Sequence, residues 1–144
     1  MRSRNLLLCV LACAAACSRQ SSGGSEPSAA ASSAAASSAA PKERGAQIYT
    51  QNCLPCHREN GEGVPNVYPS LAGSPAVLGD AGDLARWILS QKRPASIPAG
   101  RYPTQMLPYG WLKDADAAAL LTYIRSNFGN AAPPVGTAMI APAR

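Results

Sequence analysis

The sequence predicts an all-α domain of three main helices joined by loops rich in glycine and proline. Apolar residues recur at helical spacing near the C-terminal end, and no segment alternates apolar and polar residues as a half-buried strand would. The 144 residues include 12 Gly and 13 Pro but a single Phe, so the polypeptide alone offers a modest apolar core. A chain of this length suits one small domain.

The first two helices are predicted from signals at their ends. The first covers residues 42–52 and runs directly into a motif that contains two cysteines. The second covers residues 80–91, where Asp80 or Asp83 is the N-cap and a basic run before Pro94 ends the helix.

The third helix is predicted over residues 114–127 from the spacing of its apolar side chains. The residues that follow this spacing are Ala117, Leu120, Leu121, Ile124 and Phe128. Gly129 stands where a left-handed residue is favoured after a helix, because glycine adopts positive φ without steric cost.

The pattern Cys53-Leu54-Pro55-Cys56-His57 is the one used for covalent attachment of a c-type haem. The two thiols would add to the two vinyl groups of the haem. The adjacent imidazole would then lie under the iron as its axial ligand. A buried porphyrin would also supply apolar surface that the polypeptide lacks.

A zinc site and a dithiol redox pair are the alternatives for two cysteines at this spacing. A zinc site needs two further ligands, but the chain has no other histidine. Its remaining cysteines, Cys9, Cys13 and Cys17, lie in an apolar N-terminal run. A thioredoxin-like pair accompanies a βαβ pattern, which is absent here. The motif therefore predicts haem attachment.

Residues 1–16 are predicted to be an export signal. Arg2 and Arg4 precede an apolar stretch, residues 6–16, that is too short to span a bilayer. Three alanines then lead into Cys17, an ending that resembles the lipobox of bacterial lipoproteins. In those proteins the cysteine is diacylated and becomes the new N-terminus, and two acyl chains hold a protein stably on a membrane.

Two alternatives to lipidation at Cys17 remain open. Cys13 is a competing site, but it would leave an apolar core of only residues 6–12, near the minimum for a signal. Ordinary cleavage without lipid would leave the protein soluble in the periplasm.

Residues 17–41 are predicted to be a flexible tether between the anchor and the domain. They are mostly Ser, Ala and Gly, and such a segment buries too little apolar surface to offset its ordering entropy. An alanine-driven helix is the alternative, which the serine pairs and Gly23-Gly24 disfavour. The globular domain is then predicted over residues 42–130, and residues 131–144 form a proline-rich tail.

Several residues of the domain match one known family. Gly45 and Tyr49 in the first helix match residues at the crossing of its terminal helices, as do Leu120 and Tyr123 in the last. With the haem motif, these residues resemble a class I c-type cytochrome of the small monohaem kind found in bacterial respiratory chains. The resemblance covers residues 45–130. It implies a small cytochrome c fold wrapped around one covalently bound haem c.

The resemblance also gives roles to Pro69 and Leu71. The segment Pro69-Ser70-Leu71-Ala72-Gly73 matches the Pro-x-Leu-x-Gly segment of the family. It implies that the Pro69 carbonyl accepts a hydrogen bond from Nδ1 of His57 and that Leu71 packs on the haem. A carbonyl at Nδ1 fixes the imidazole tautomer and leaves Nε2 for the iron.

Met106 is predicted to be the second axial ligand of the iron. His57 is the only histidine of the chain, so ligation by two histidines of one chain is excluded. Met1 would leave with the signal, and Met139 lies in the tail. Met106 lies in a proline-rich loop just ahead of the last helix, where the resemblance places the ligand methionine.

Aromatic and basic residues near Met106 are further candidates. Tyr109 and Trp111, with Tyr102, are predicted to pack on the haem or to bond a propionate. Arg93 and Arg101 are candidates to neutralise propionates, because buried carboxylates need partners. Ordinary packing or solvation is the alternative for each of them.

The net charge gives no support for nucleic-acid binding. The full chain carries +5, and loss of Arg2 and Arg4 with the signal lowers Lys+Arg from 13 to 11 against 8 Asp+Glu, or +3. Two haem propionates would lower this to about +1. No basic stripe with interleaved aromatic residues is visible.

These features predict an electron carrier of the periplasm rather than an enzyme. Its iron would exchange single electrons with a quinol-oxidising complex, a terminal oxidase or reductase, or a dehydrogenase. One alternative is a haem subunit of a larger membrane-associated oxidoreductase, docked through the tail. A haem-based gas sensor or peroxidase is the other, although the chain has no second histidine for peroxidase chemistry.

Overall fold

The computed structural model describes residues 29–100 and 102–144, with side chains from residue 40 onward. It contains five α-helices in this part of the chain: α1 (Ala29–Asn52), α2 (Leu54–His57), α3 (Pro75–Leu78), α4 (Ala81–Ser90) and α5 (Asp114–Ser126). Two 3-10 turns follow, Thr137–Met139 and Ala141–Ala143. The described residues form no strand, only an isolated bridge between Val64 and Tyr68. The predicted all-α class is confirmed.

The helix α1 begins earlier than the sequence predicted. It was expected over residues 42–52, and it starts at Ala29 and continues through Pro41. Residues 29–41 of the predicted tether are therefore helical, because alanine has the highest helix propensity and here outweighs the serine pairs. The signal, both candidate lipidation cysteines and the rest of the tether lie outside the described residues. None of the described helices is long and apolar enough to cross a membrane.

The crossing of α1 and α5 organises the domain, as the sequence predicted. Gly45 is buried at this crossing, and a Cβ there would lie 2.6 Å from Cβ of Tyr123 and would also overlap the Ala119 backbone. The ring of Tyr49 packs 5.5 Å from that of Tyr123. Leu120 is buried in the same core. Only a glycine allows the two helices to approach this closely.

The ends of α4 are formed by polar side chains. The carboxylate of Asp80 accepts a hydrogen bond from the amide of Asp83 at 2.8 Å, so Asp80 is the N-cap. The helix ends at Ser90, and Gln91 follows with φ +58°. Beyond it, the guanidinium of Arg93 lies 4.3 Å from the ring centroid of Trp87.

The helix α5 ends at Ser126, and the chain then turns through two left-handed residues. Gly129 has φ +79°, as the sequence predicted, but the preceding Phe128 also has φ +59°. This turn directs the Phe128 ring into the core, where it packs 5.1 Å from Tyr49 and 5.7 Å from Tyr123.

The predicted tail packs in the core, so the apolar core extends beyond the domain boundary expected at residue 130. Val135, Ile140 and Ala143 are buried within the same apolar cluster as α1, α4 and α5. Thr122 of α5 accepts a hydrogen bond from the Val135 amide at 2.9 Å. The segment was predicted to lie outside because its prolines exclude a regular helix, but two 3-10 turns suffice to bury its apolar residues.

A buried arginine connects α5 to the preceding corner and to the tail. Arg125 donates from Nη1 to the carbonyls of Val77 at 2.6 Å and Gly79 at 2.9 Å, and from Nε to Pro133 at 3.2 Å. Burial lowers the pKa of Arg125 from its ordinary value, because a low-dielectric site disfavours the charged form. Arg125 therefore satisfies three backbone carbonyls, two at the end of α3 and one in the tail, that lack helical partners.

Candidate haem-binding site

The two cysteines and His57 lie at the junction of α1 and the single turn of α2. The Cys53 amide continues the α1 ladder by bonding to the Tyr49 carbonyl at 2.8 Å, and the His57 amide bonds to the Cys53 carbonyl at 2.8 Å. Residues spaced three and four apart on a helical turn lie on one face. Cys53, Cys56 and His57 have this spacing, and both cysteines are free, half-buried thiols.

The Cys53 thiol is neutral in this environment. Burial raises the pKa of Cys53 to about 12, and the nearby Cys56 contributes in the same direction. A dithiol redox centre uses a thiolate of lowered pKa, which this site disfavours. Within the described residues, no three His, Cys, Asp or Glu side chains cluster where a metal ion would be held.

The imidazole of His57 is buried and oriented. The residue is 8% exposed, and its Nδ1 lies 3.0 Å from the Pro69 carbonyl oxygen, so the predicted hydrogen bond is present. Burial lowers the pKa of His57, which keeps the imidazole neutral. With Nδ1 donating to Pro69, the lone pair is on Nε2, the tautomer that an iron ligand needs.

Gly63 holds the Pro69 carbonyl in position, a role that was not predicted from the sequence. The Gly63 amide bonds to the His57 carbonyl at 2.9 Å, and its φ is +68°. A Cβ at this position would lie 2.6 Å from the Pro69 oxygen. The close approach of this glycine therefore lets the loop fold back under the imidazole. The signal available in the sequence was the pair Gly61 and Gly63 shortly after the motif.

Leu71 is held between the motif loop and the end of α5. Its amide bonds to the Gly61 carbonyl at 2.7 Å, and its side chain packs against the core. Its carbonyl accepts from Nδ2 of the buried Asn130 at 3.1 Å, while Asn130 Oδ1 accepts from the Gly73 amide at 2.9 Å. Asn130 thus fixes the Pro69–Gly73 segment. No local sequence pattern predicts this role for Asn130.

The Met106 loop is attached to the haem motif through Tyr109. The Tyr109 amide donates to the Ile88 carbonyl at 3.0 Å, and its hydroxyl donates to the Asn52 carbonyl, next to Cys53, at 3.0 Å. Burial raises the pKa of Tyr109, with further contributions from Cys53 and Cys56, so the phenol lies beside the thiols. Met106 itself is half-buried.

The other predicted residues lie further out. Trp111 is 67% exposed and packs on Tyr109, with ring centroids 6.2 Å apart, so it reaches the motif only through that ring. Tyr102 is exposed. Arg93 donates to the Pro98 carbonyl at 2.7 Å and stacks on Trp87. Arg101 lies outside the described residues, and Met139 lies in the first 3-10 turn of the tail.

The donor set fits a c-type haem. Two thiols flank one turn of helix, and a neutral imidazole with its Nδ1 committed to a carbonyl follows at once. The Met106 thioether is carried by a later loop, which Tyr109 joins to the same motif. Thiol addition to vinyl groups and axial ligation by nitrogen and sulfur need these groups.

The chain belongs to the cytochrome c family. The family model described as cytochrome c matches residues 42–128, more than half of the chain. Class I c-type cytochromes are helical proteins that carry covalently bound haem c and transfer electrons without converting a substrate. The predicted cofactor, one covalent haem c with its iron, and the predicted role of electron carrier are thereby confirmed.

The chain is also similar to individual cytochromes. It is 35% identical over 92 residues to cytochrome c-552 of Thermus thermophilus, covering 60% of this chain and 70% of that one. It is 32% identical over 93 residues to the cytochrome c subunit of the quinone-dependent alcohol dehydrogenase of Gluconobacter oxydans, covering 62% and 19% respectively. The gluconate 2-dehydrogenase cytochrome c subunit of Pantoea cypripedii is 27% identical over 99 residues, covering 67% and 22%. The chain thus spans about a fifth of each dehydrogenase subunit.

Proposed function

We propose that this chain is a periplasmic carrier whose haem is attached at Cys53 and Cys56 and ligated by His57 and Met106. The single observation that carries this assignment is the hydrogen bond of 3.0 Å between His57 Nδ1 and the Pro69 carbonyl. That bond sets the tautomer of the only histidine and directs Nε2 away from the loop. No other role of a neutral imidazole beside two half-buried thiols accounts for this arrangement as well.

The residues around the site favour an iron whose ligands change little between its oxidised and reduced states. When bound, haem c supplies the iron that accepts and returns the electron. His57 is held by Pro69 in either state, and the thioether of Met106 favours the reduced iron and raises its potential. Tyr109, whose hydroxyl donates to the Asn52 carbonyl, joins the Met106 loop to the motif.

Two exposed apolar side chains close to Met106 in the sequence support a docking role for this loop. Leu107 is 71% exposed and Trp111 is 67% exposed, and we call this pair the ligand-loop patch. Residues 84–113 carry five basic and no acidic side chains. We infer that redox partners present an apolar centre with an acidic rim, because complementary charge steers association and a small apolar contact suits a transient complex.

Replacing Leu107 by serine is expected to slow electron transfer to the partner about fivefold to tenfold, since it removes an apolar contact of about 1 kcal/mol. Leu78→Ser is the matched control, because Leu78 is also an exposed leucine, at 42%, on the separate helix α3. The measurement is the second-order rate at which source-organism membranes oxidise the ferrous protein, at several salt concentrations. Equal rates for the two variants, or rates that do not fall with salt, would contradict the docking proposal.

The carrier is proposed to be anchored to a membrane by lipid on Cys17. The support is the Ala14-Ala15-Ala16 ending before this cysteine and the positive, short apolar segment ahead of it. The anchor would keep the domain near membrane-bound partners and leave the ligand-loop patch free to meet them.

Cys17→Ala is expected to move the protein from the detergent phase to the aqueous phase, or to leave it unprocessed, because the acylated side chain is lost. Phase partitioning followed by mass spectrometry of the N-terminal peptide measures this. Cys13→Ala is the control and should leave partitioning unchanged. An unmodified Cys17 in the wild-type protein would contradict lipidation but leave the cytochrome assignment intact.

A haem subunit of a larger membrane-associated oxidoreductase is the second candidate. It is favoured by the similarity to cytochrome c subunits of two dehydrogenases. The buried side chains of Val135, Ile140 and Ala143 are used within this domain, so a partner would meet the ligand-loop patch rather than the tail. Purification from native membranes decides: a stoichiometric partner supports the subunit, and a freely extracted monomer supports the carrier.

A further inference from the structure

The guanidinium of Arg144 joins the tail to the segment that follows the Met106 loop. Nη1 donates to the Gly110 carbonyl at 2.7 Å, and Nη2 donates to the Leu112 carbonyl at 2.6 Å. Nε and Nη2 also bond to the Asp114 carboxylate at 2.9 and 2.6 Å. One planar side chain thus bonds to three residues of a five-residue segment, which suits the fixed fork of arginine.

This segment directly continues the Met106 loop. Gly110 follows Tyr109, whose amide and hydroxyl attach the loop to α4 and to the end of α1. The Leu112 amide bonds back to the Tyr109 carbonyl at 3.0 Å, and the Leu112 side chain is buried. A displacement of residues 110–114 would therefore move Tyr109 and, through it, the loop that carries Met106.

The backbone that presents Arg144 is itself fixed. Ile140 is fully buried and Ala143 nearly so, and the 3-10 turn that contains Ala143 packs against α4. The side chain of Arg144 therefore reaches the segment from a rigid base. Because the Arg144–Asp114 ion pair is solvent-exposed, the pair alone contributes little. The bonds to the Gly110 and Leu112 carbonyls are therefore the contacts that hold the segment in place.

We propose that Arg144 is a positioning residue for Met106, so that the tail sets how firmly the thioether occupies the sixth position of the iron. This inference rests on the proposed ligation by Met106. It gives the tail a role within the electron-transfer site, in place of the partner-docking role that its sequence suggested.

The test compares Arg144→Ala with wild type in the haem-loaded protein. Removing the guanidinium is expected to raise the fraction of molecules with Met106 dissociated about tenfold. The apparent affinity of the ferrous protein for carbon monoxide rises by the same factor, since that ligand binds only the open form. Amide hydrogen exchange over residues 107–112 is also expected to be about tenfold faster.

Arg44→Ala is the matched control, because Arg44 also makes a two-point ion pair, with Asp116 at 2.7 and 3.1 Å, but joins α1 to α5 away from the loop. It should change neither readout. Arg144→Lys keeps the positive charge but loses the forked guanidinium, so its carbon monoxide affinity and exchange rate should lie between those of Arg144→Ala and wild type. This variant keeps the test decisive if the alanine variant folds poorly.

The outcomes separate this inference from the proposed ligation. If wild-type ferrous protein binds carbon monoxide readily, Met106 is not the ligand, and both proposals are overturned. If wild type resists carbon monoxide and Arg144→Ala behaves like Arg44→Ala in both readouts, only the positioning role is overturned.

Discussion

Replacement of Cys53 and Cys56 together by alanine is expected to leave a chain without covalent haem and without a stable fold. The two thioether bonds are the attachment, and the haem supplies apolar surface that a chain with one Phe and 13 Pro lacks. The measurements are haem-dependent peroxidase staining after denaturing electrophoresis and far-ultraviolet circular dichroism of the purified chain. Staining should fall to background, and helical signal should be largely lost.

The single variants Cys53→Ala and Cys56→Ala provide the controls for this result. Each leaves one thiol, so haem should remain attached with one vinyl group unreacted, and its reduced spectrum should shift from that of wild type. The double variant alone should lose all covalent haem. Haem that leaves the wild-type chain in denaturant would rule out thioether attachment at this motif.

Met106→Ala is expected to change the iron site while leaving the haem attached. Wild-type ferric protein should be low-spin with the weak far-red band of methionine-to-iron charge transfer, and its ferrous form should resist carbon monoxide at neutral pH. In the variant the band should disappear, carbon monoxide should bind, and the reduction potential should fall, because the thioether no longer favours the reduced iron.

Met139→Ala is the matched control for the sixth ligand. Met139 is the only other methionine that would remain after signal removal, and it lies exposed in the first 3-10 turn of the tail. Its replacement should leave the band, the potential and the carbon monoxide response as in wild type. A spectroscopically silent Met106→Ala would exclude a carrier with methionine ligation and favour a sensor or catalytic haem.

The parts of the site that the sequence predicted are set by short-range spacing or by family-specific segments. Cys53, Cys56 and His57 are contiguous, and one helical turn brings them together without help from the rest of the fold. The bond between His57 and Pro69 was predicted from the Pro-x-Leu-x-Gly segment. The close approach at Gly45 was predicted from the resemblance to the family, in which a glycine lets the terminal helices come close together.

The parts that the sequence did not predict depend on contacts between residues far apart in the chain. Arg125 bonds to Val77 and Gly79, and Asn130 bonds to Leu71 and Gly73, across more than forty residues in each case. No spacing rule connects such pairs. The same holds for the tail, where Ile140 is buried although prolines surround its segment. The early start of α1 has a different cause, because alanine and serine favour opposite structures and their balance is close.

The order of these elements along the chain has a consequence for biosynthesis. Apart from α1, the groups that pack around the haem motif come after it in the chain: the Pro69 loop, Tyr109 and the helix α5. A polypeptide made from its N-terminus therefore presents both thiols before the residues that bury them have been synthesised. Haem attachment can therefore precede folding, and residues 58–144 would then assemble on the attached cofactor. Because both thiols are half-buried in the folded chain, attachment is easiest before residues 58–144 have folded, and the order of the elements favours that sequence of events.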